Sequence, residues 1–124
     1  GKGTVVGATV RGDIHDIGKN IVRALLENYG YQVIDLGKDV PPEAVVEAVE
    51  TSGAPLVGLS ALMTTTVESM EETIRQLRAR TSAKIVVGGA VLTADYARQI
   101  GADFYARDAM ATVRVAEAVF EEAR

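Results

Sequence analysis

The 124-residue sequence contains no cysteine and no tryptophan, and it has a single histidine, His15. Without cysteine the chain can form neither a disulfide nor a thiolate metal site, and it has no thiol nucleophile. We expect a cytoplasmic location on that basis. No apolar run approaches the ~20 residues of a membrane span, and no signal peptide is visible, so no membrane partner is expected.

The charge and the composition limit the class of protein further. A formal net charge of −4, with no run of Lys or Arg, argues against a nucleic-acid partner. Hydrophobic residues make up 48% of the chain but aromatic residues only 5%, so aliphatic side chains must build the core. The length fits one domain. Because the chain begins at Gly1 and not at Met, we expect it to be a fragment or a processed product.

Short β-rich runs alternate with amphipathic stretches along the whole chain. Such alternation, with nearly continuous apolar runs, is typical of a parallel sheet covered by helices on both faces. Right-handed crossovers then favour a doubly wound five-stranded sheet of the flavodoxin-like (Rossmann-like) type, with strand order 2-1-3-4-5. The runs are Thr4–Val10, Tyr31–Leu36, Pro55–Leu59, Lys84–Val87 and Ala102–Tyr105.

The stretches between these runs show helical periodicity. Ile17, Ile21 and Leu25 fall four apart and predict the inward face of a first helix that ends at Gly30. A short fourth helix is predicted at about Thr93–Ile100, and a fifth from about Ala109 to the end of the chain. The remaining inward positions are Val22 and Leu26 in the first helix, Val45, Val46 and Val49 in a second helix after Pro41-Pro42, and Val67, Met70, Ile74 and Leu77 in a third.

The segment "GDIHDIG", residues 12–18, follows the first predicted strand. In a doubly wound sheet, ligands bind outside the carboxyl ends of the strands, near the switch point between the first and third strands. Connectivity therefore predicts that His15, Ser60 and Gly88-Gly89 converge on one crevice.

His15 has a structural and a functional interpretation. It could be a surface or capping histidine, with Asp13 as the helix N-cap and Asp16 as a first-turn acid. Alternatively it ligates a metal while Asp13 accepts its second N–H. One histidine and no cysteine are too few for a tetrahedral zinc site unless carboxylates complete it, but they suffice for a metal held by a macrocycle. That points to a tetrapyrrole-like cofactor.

Other functions of the same fold class find little support in the sequence. A phosphoacceptor receiver needs an aspartate at the end of the third strand and a lysine at the end of the fifth, where Ser60 and Arg107 stand. The loop after the first strand is acidic, which suits flavin phosphate poorly, and no G-x-G-x-x-G follows it. Ser60 has no base beside it in sequence, so a hydrolase triad is not supported.

Three motifs in order carry a family resemblance. D-x-H-x-x-G (Asp13, His15, Gly18), S-x-L (Ser60, Leu62) and G-G (Gly88, Gly89) resemble the signature of cobalamin-binding domains. The segments "GDIHDIGKNIV", "VIDLGKDVP" and "SALMTTT" are most similar to corrinoid proteins of methyltransferase systems, including those for methanol, methylamines and methoxylated aromatics. The cobalamin domain of methionine synthase is a near relative.

The resemblance implies a bound cobalamin or related corrinoid in the base-off, His-on form. His15 would be the lower axial ligand of cobalt, with Asp13 as its hydrogen-bond partner. Ser60 would extend that relay or contact the nucleotide tail, and Gly88 and Gly89 would leave room for the base. The residues expected to contact the cofactor are Gly12, Asp13, His15, Asp16, Gly18, Ser60, Leu62, Met63, Thr64, Thr65, Gly88 and Gly89, with Thr66 beside them along the channel or corrin edge.

The function implied by the resemblance is that of a methyl carrier. A methyl group would pass to the cobalt from one methyltransferase partner and on to another, so catalytic residues would lie in the partners and none in this chain. Residues 1–124 would form the corrinoid-binding domain, with an upstream helical cap outside this sequence. The alternatives are the cobalamin domain of an adenosylcobalamin-dependent mutase and a corrinoid-dependent sensor module.

Overall fold

Five parallel strands alternate with five α-helices in the computed structural model, which describes residues 1–122. The predicted end of the last helix at residues 123–124 lies outside the described residues. The strands are β1 (Thr4–Thr9), β2 (Gln32–Asp35), β3 (Leu56–Ser60), β4 (Lys84–Gly88) and β5 (Phe104–Tyr105). The helices are α1 (Ile17–Asn28), α2 (Pro42–Ser52), α3 (Val67–Arg80, preceded by a 3-10 turn at Thr64–Thr66), α4 (Ala94–Gln99) and α5 (Ala109–Glu122).

The strand order is β2-β1-β3-β4-β5, which confirms the predicted doubly wound, flavodoxin-like topology. Thr9 at the end of β1 pairs with Ser60 at the end of β3, and Ser60 pairs in turn with Gly88 at the end of β4. The carboxyl ends of the three central strands are therefore level. The loops that follow them form one continuous edge.

The two faces of the sheet have separate cores because successive side chains of a strand point to opposite faces. Val6, Val57 and Ile85 pack with α2, α3 and α4 on one face, whereas Leu56 and Val86 pack with α1 and α5 on the other. Burying each such side chain contributes roughly 1.5–3 kcal/mol. The inward positions predicted for α2 and α3 are confirmed, since all of them are buried: Val45, Val46, Val49, Val67, Met70, Ile74 and Leu77.

Helix α1 departs from the predicted pattern in its first two turns. Ile17 is 76% exposed and Ile21 is 51% exposed, so the prediction that they face the core is wrong. Leu26, near the other end of the helix, is fully buried. Ile17 borders an open cleft, and the inward-turned position in this part of α1 is occupied by Lys19, which pairs with Asp35 of β2 at 2.6 Å.

Within residues 1–122, no helix is both long enough and apolar enough to cross a membrane.

Candidate cofactor site

A cleft of about 600 Å³ opens at the carboxyl edge of the sheet, between α1 and α5 and above β1, β3 and β4. Its floor includes Gly7 and Gly58, which are paired neighbours in β1 and β3. Large side chains at these two positions would fill the space that the cleft occupies. The convergence predicted from connectivity is confirmed, because the cleft is lined by His15, Asp16, Gly18, Ser60, Leu62, Gly88 and Gly89.

Five other residues expected at the cofactor do not line the cleft. They lie in the two loops that support it and are Gly12, Asp13, Met63, Thr64 and Thr65.

Asp13 is fully buried beneath His15, and its carboxylate joins the loop after β1 to the loop after β3. Oδ1 accepts hydrogen bonds from the backbone N–H of His15 at 3.0 Å and from the His15 ring Nδ1 at 2.8 Å. Oδ2 accepts from the backbone N–H of Leu62 and from the Thr66 hydroxyl, both at 2.7 Å, with the N–H of Met63 at 3.4 Å. The carboxylate is therefore surrounded by donors from two loops.

This surrounding sets the protonation state of Asp13. Burial alone would raise the pKa of the carboxyl group, but the hydrogen bonds from Leu62, Thr66 and His15 outweigh burial and hold the pKa of Asp13 well below its usual range. An ionised carboxylate can only accept hydrogen bonds. In the neutral imidazole, His15 Nδ1 therefore carries the proton and the lone pair lies on Nε2.

The imidazole of His15 stands at the mouth of the cleft with its side chain 44% exposed. Within residues 1–122, Nε2 has no hydrogen-bond partner, whereas Nδ1 is held by Asp13. No cluster of three or more His, Asp or Glu residues suited to a metal ion occurs in the described part of the chain. The arrangement can present one neutral imidazole nitrogen to a metal that brings its other ligands with it.

The interpretation of Asp13 as a helix N-cap is wrong. Helix α1 begins at Ile17, Asp16 occupies the N-cap position, and the side chain of Asp16 makes no capping hydrogen bond. Asp13 instead lies in a turn closed by its own N–H, which donates to the carbonyl of Val10 at 3.0 Å.

The sequence left two roles open for Ser60, a place in the relay or a contact with the nucleotide tail, and the structure removes the first. Ser60 was expected to extend the relay or to contact a tail, but its hydroxyl pairs with that of Thr9 at 3.0 Å. Thr66 contacts Asp13 instead. The relay role of Ser60 is therefore wrong, and a tail contact stays a prediction because Ser60 lines the cleft. Thr66 precedes α3 without capping it, which leaves its hydroxyl for Asp13, and nothing in the sequence distinguishes it from Thr64 and Thr65.

Gly88 and Gly89, at the end of β4, are glycine for different structural reasons. Gly89 has a φ of 134°, and a Cβ there would overlap the carbonyl oxygen of Ala61, so the protein itself requires glycine at this position. At Gly88 a Cβ would lie 3.3 Å from the carbonyl oxygen of Ala106. Both line the cleft, but the expectation that Gly89 is glycine in order to leave room for a ligand is replaced by this backbone contact.

The wall that α1 contributes to the cleft carries an ion-pair network. Lys19 Nζ lies 2.6 Å from Asp35 Oδ1 and donates to the amide oxygen of Asn20 at 3.0 Å. Arg23 contacts the other oxygen of Asp35 at 3.1 Å. Burial raises the pKa of Asp35, but Lys19, the N–H of Gly37 and Arg23 together lower it below the usual value. The network holds the first turns of α1 against β2.

An apolar rim surrounds His15. Ile14, Ile17 and Leu62 line the mouth of the cleft and are all exposed. Exposed aliphatic side chains grouped beside a polar ligand are typical of a binding surface for a large, partly apolar molecule.

Comparison with known proteins agrees with this geometry. The model of the B12 binding domain matches residues 3–114. A dimethylamine corrinoid protein of Methanosarcina mazei is 44% identical over 118 residues, which are 93% of this chain and 55% of that protein. A trimethylamine corrinoid protein of Methanosarcina barkeri is 46% identical over 120 residues, covering 92% of this chain and 55% of that protein. The chain thus spans about half the length of these relatives.

Solved structures give the same result. The methanol:cobalamin methyltransferase complex of Methanosarcina barkeri matches with a TM-score of 0.93 and 39% identity, over 97% of this chain and 47% of that one. A cobalamin-binding protein of Desulfitobacterium hafniense matches at 0.89 and 38% identity, over 94% of this chain and 58% of that one. The receiver domain of NarL from Mycobacterium tuberculosis matches at 0.69 with 16% identity, over 96% of each chain, which shows a shared fold alone. By its sequence and its fold, the chain belongs to the B12-binding domain family, and the corrinoid expected from its motifs is the class of cofactor for which that family is named.

Proposed function

We propose that this domain binds a corrinoid in the base-off, His-on form and serves as a methyl carrier between methyltransferase partners. The observation that carries the proposal is the fixed orientation of His15, whose Nδ1 is held by a buried carboxylate while Nε2 stands without a partner at the mouth of the cleft. A neutral imidazole oriented in this way is a good axial ligand for cobalt.

The residues present fit such a cofactor. Gly7 and Gly58 keep the floor of the cleft low, and a Cβ at either would find no atom closer than 3.7 Å, so their lack of side chains leaves room for a guest. The displaced base and tail of the corrinoid would enter there. The exposed Ile14, Ile17 and Leu62 would support the lower face of the corrin ring.

The bound corrinoid would supply a cobalt that can accept and release a methyl group. The residues of this chain would bind it and orient the ligating imidazole. With the Asp13 carboxylate ionised, Nδ1 stays protonated, and Nε2 is free to ligate.

The methyl-carrier role is supported by the relatives at 44–46% identity, which are corrinoid proteins named for methylamines, and by the structural match to a methanol:cobalamin methyltransferase complex. The partners we propose are methyltransferases, and turnover would reside in them. An upstream helical cap over the upper face remains part of the proposal, as does a cytoplasmic location.

The test is the EPR spectrum of the cobalamin-loaded domain reduced to cobalt(II), prepared once with ordinary histidine and once with nitrogen-15 histidine. Because His15 is the only histidine, the label reports a single site. We expect the superhyperfine splitting to change from the nitrogen-14 triplet to the nitrogen-15 doublet.

Two controls sharpen this experiment. Cobinamide, which lacks the nucleotide base, should give the same labelled splitting, because the nitrogen comes from the protein. His15→Gln should remove the splitting from histidine. A triplet that persists in the labelled protein would mean that the benzimidazole remains bound to cobalt, and the His-on assignment would be wrong.

A further inference from the structure

The loop after β2 contains the only non-glycine residue within residues 1–122 whose φ lies in the left-handed region. This residue is Asp39, with a φ of 54°, and it belongs to the segment "VIDLGKDVP". Aspartate adopts this conformation more readily than most residues, but at a higher conformational energy than glycine. Left-handed residues of this kind cluster where the surrounding structure needs them for a function.

Asp39 makes two hydrogen bonds to the loop that carries His15. Its carboxylate Oδ1 accepts from the backbone N–H of Gly12 at 2.7 Å, and its own N–H donates to the carbonyl of Asp13 at 3.0 Å. The two bonds fall on the N–H of Gly12 and the carbonyl of Asp13, so they hold the Gly12–Asp13 dipeptide at its two outer ends.

The left-handed conformation is what makes both contacts possible from one residue. It turns the backbone N–H and the side chain of Asp39 toward the same neighbouring loop. On either side of Asp39 the chain is tied to β1, since Thr9 N–H donates to the Gly37 carbonyl at 2.9 Å and Val40 N–H donates to the Thr9 carbonyl at 3.1 Å. The turn around Asp39 is therefore a firm support.

The Gly12–Asp13 unit needs such a support. Gly12 has a φ of 86°, a conformation that glycine enters and leaves easily. Asp13 must nevertheless place its carboxylate between His15 and the donors of the loop after β3. Hydrogen bonds to the side chain of Asp13 hold only one end of this residue. Its backbone is held by its own N–H, which donates to the Val10 carbonyl, and by the Asp39 N–H, which donates to the Asp13 carbonyl.

We propose that Asp39 is a positioning residue for His15: it clamps the Gly12–Asp13 backbone so that the Asp13 carboxylate meets the imidazole Nδ1 and Nε2 is presented to the cleft. The consequence for a corrinoid rests on the proposed function, whereas the clamp itself is a property of the protein without cofactor. Asp39 reaches His15 only through Asp13, so it is expected to change the geometry of the ligand and not to touch the cofactor.

The test uses Asp39→Asn, Asp39→Gly and Asp39→Ala in the cofactor-free protein. Asparagine keeps an acceptor oxygen and tolerates the left-handed conformation, glycine keeps only the conformation, and alanine keeps neither. Lys38→Ala is the matched control, because Lys38 is exposed in the same turn and none of its contacts reaches the His15 loop.

The first readout is the nitrogen-15 NMR spectrum of the single imidazole at about pH 8, where a histidine of ordinary pKa is neutral. We expect wild type, Asp39→Asn and Lys38→Ala to show the Nδ1–H form. Asp39→Gly and Asp39→Ala should show a mixture with the Nε2–H form. The second readout is hydrogen exchange at the Gly12 amide, which should become about three- to tenfold faster in the glycine and alanine variants, as expected for the loss of one hydrogen bond.

The pattern across the variants decides the matter. Wild-type ring shifts and wild-type Gly12 exchange in Asp39→Gly would overturn the role of the carboxylate, and equal changes in Lys38→Ala would overturn the clamp by showing general loosening of the turn. The clamp would be supported if Asp39→Asn keeps the wild-type imidazole shifts and Gly12 exchange rate while Asp39→Gly changes both. If alanine prevents folding, the asparagine and glycine pair still decides.

These readouts involve no corrinoid, so they are separable from the proposed function. After loading with cobalamin, Asp39→Gly should also bind about three- to tenfold more weakly than Asp39→Asn. A failure of the labelled EPR experiment in the wild type would sink the His-on assignment and leave the NMR result standing. Wild-type NMR behaviour in Asp39→Gly would sink the clamp and leave the EPR result standing.

Discussion

Replacing Thr66 with valine removes one hydrogen bond from the buried Asp13 carboxylate and changes little else. Valine has the same number of side-chain heavy atoms as threonine and nearly its shape, so the substitution of the buried Thr66 leaves no large cavity and removes only the hydroxyl. The lost contact is the one from Thr66 Oγ1 to Asp13 Oδ2, which measures 2.7 Å. The hydroxyl also lies 3.0 Å from the carbonyl of Met63, but its single proton is best used by the charged acceptor.

The magnitude follows from the charge of the acceptor. A hydrogen bond to a charged group contributes about 1.5–3 kcal/mol, compared with about 1 kcal/mol for a neutral pair. The remaining donors to Asp13 Oδ2 are backbone N–H groups that cannot move freely. We therefore expect Thr66→Val to lower the free energy of unfolding by about 2 kcal/mol at neutral pH.

The effect should depend on pH in a definite direction. The pKa of Asp13 is lowered in the folded protein, so its contribution to stability is present above the usual aspartate pKa and is lost as the pH falls toward the folded value. Thr66→Val removes one cause of the lowering and so raises the pKa of Asp13 toward its usual range. The stability difference between wild type and variant should stay nearly constant from neutral pH down to the usual aspartate pKa, and it should shrink below that pH, as the Asp13 carboxylate of the folded variant is protonated before that of wild type.

The assay is urea unfolding of the cofactor-free protein at several pH values. Thr73→Val is the matched control, because Thr73 is also a fully buried threonine, but its hydroxyl donates to the neutral carbonyl of Ser69 at 2.7 Å. Its loss should cost about 1 kcal/mol with little dependence on pH. If the two variants have the same pH dependence, or if Thr66→Val is neutral at pH 7, the hydroxyl of Thr66 does not stabilise the ionised carboxylate and the reasoning fails.

Three further predictions concern the cleft and its walls. Gly58→Ala should leave the unfolding free energy of the cofactor-free protein within about 1 kcal/mol of wild type, because the new Cβ would lie 3.7 Å from Val86. It should nevertheless weaken binding of cobalamin more than that of cobinamide in a spectroscopic titration, and equal losses would place the tail elsewhere. Ile17→Ser should weaken cobalamin binding without destabilising the protein. Ile21→Ser, at an exposed position outside the cleft, should change neither cobalamin binding nor stability; equal effects of the two substitutions on binding would count against the proposed rim. Lys19→Met should destabilise the protein by about 2 kcal/mol at neutral pH and less in acid, since it removes a cause of the lowered pKa of Asp35; a loss that does not change with pH in urea unfolding would contradict this.

The topology and the place of the site could be predicted from the sequence for a physical reason. Hydrophobic periodicity and β/α alternation leave one favourable way to cover both faces of a parallel sheet, and this topology brings the carboxyl ends of β1, β3 and β4 together. This strand order brings His15, Ser60 and Gly88 close together, although they are far apart in sequence.

The contacts inside the site could not be predicted in the same way. Thr64, Thr65 and Thr66 are three identical residues in a 3-10 turn, and only the path of the turn decides that Thr66 points to Asp13. Periodicity likewise placed Ile17 in the core, because a helix next to a cleft has the same apolar spacing as a helix next to a sheet. The first error arises from the local path of a turn, and the second arises because α1 borders an open cleft that the sequence pattern does not describe.

The two faces of the sheet divide stability and binding between them. At equivalent places toward the ends of β1 and β3, the face under α2 and α3 has the buried side chains Ala8 and Leu59, whereas the face under α1 and α5 has Gly7 and Gly58. The glycines forgo the hydrophobic burial that the other face gains, and α1 leaves Ile17 exposed beside them. Packing that would close the cleft is thus missing on one face, and the larger core on the other must hold the domain together in the absence of cofactor. A ligand that fills the cleft would bury the surface left open there, so its binding should stabilise the α1 and α5 face most strongly.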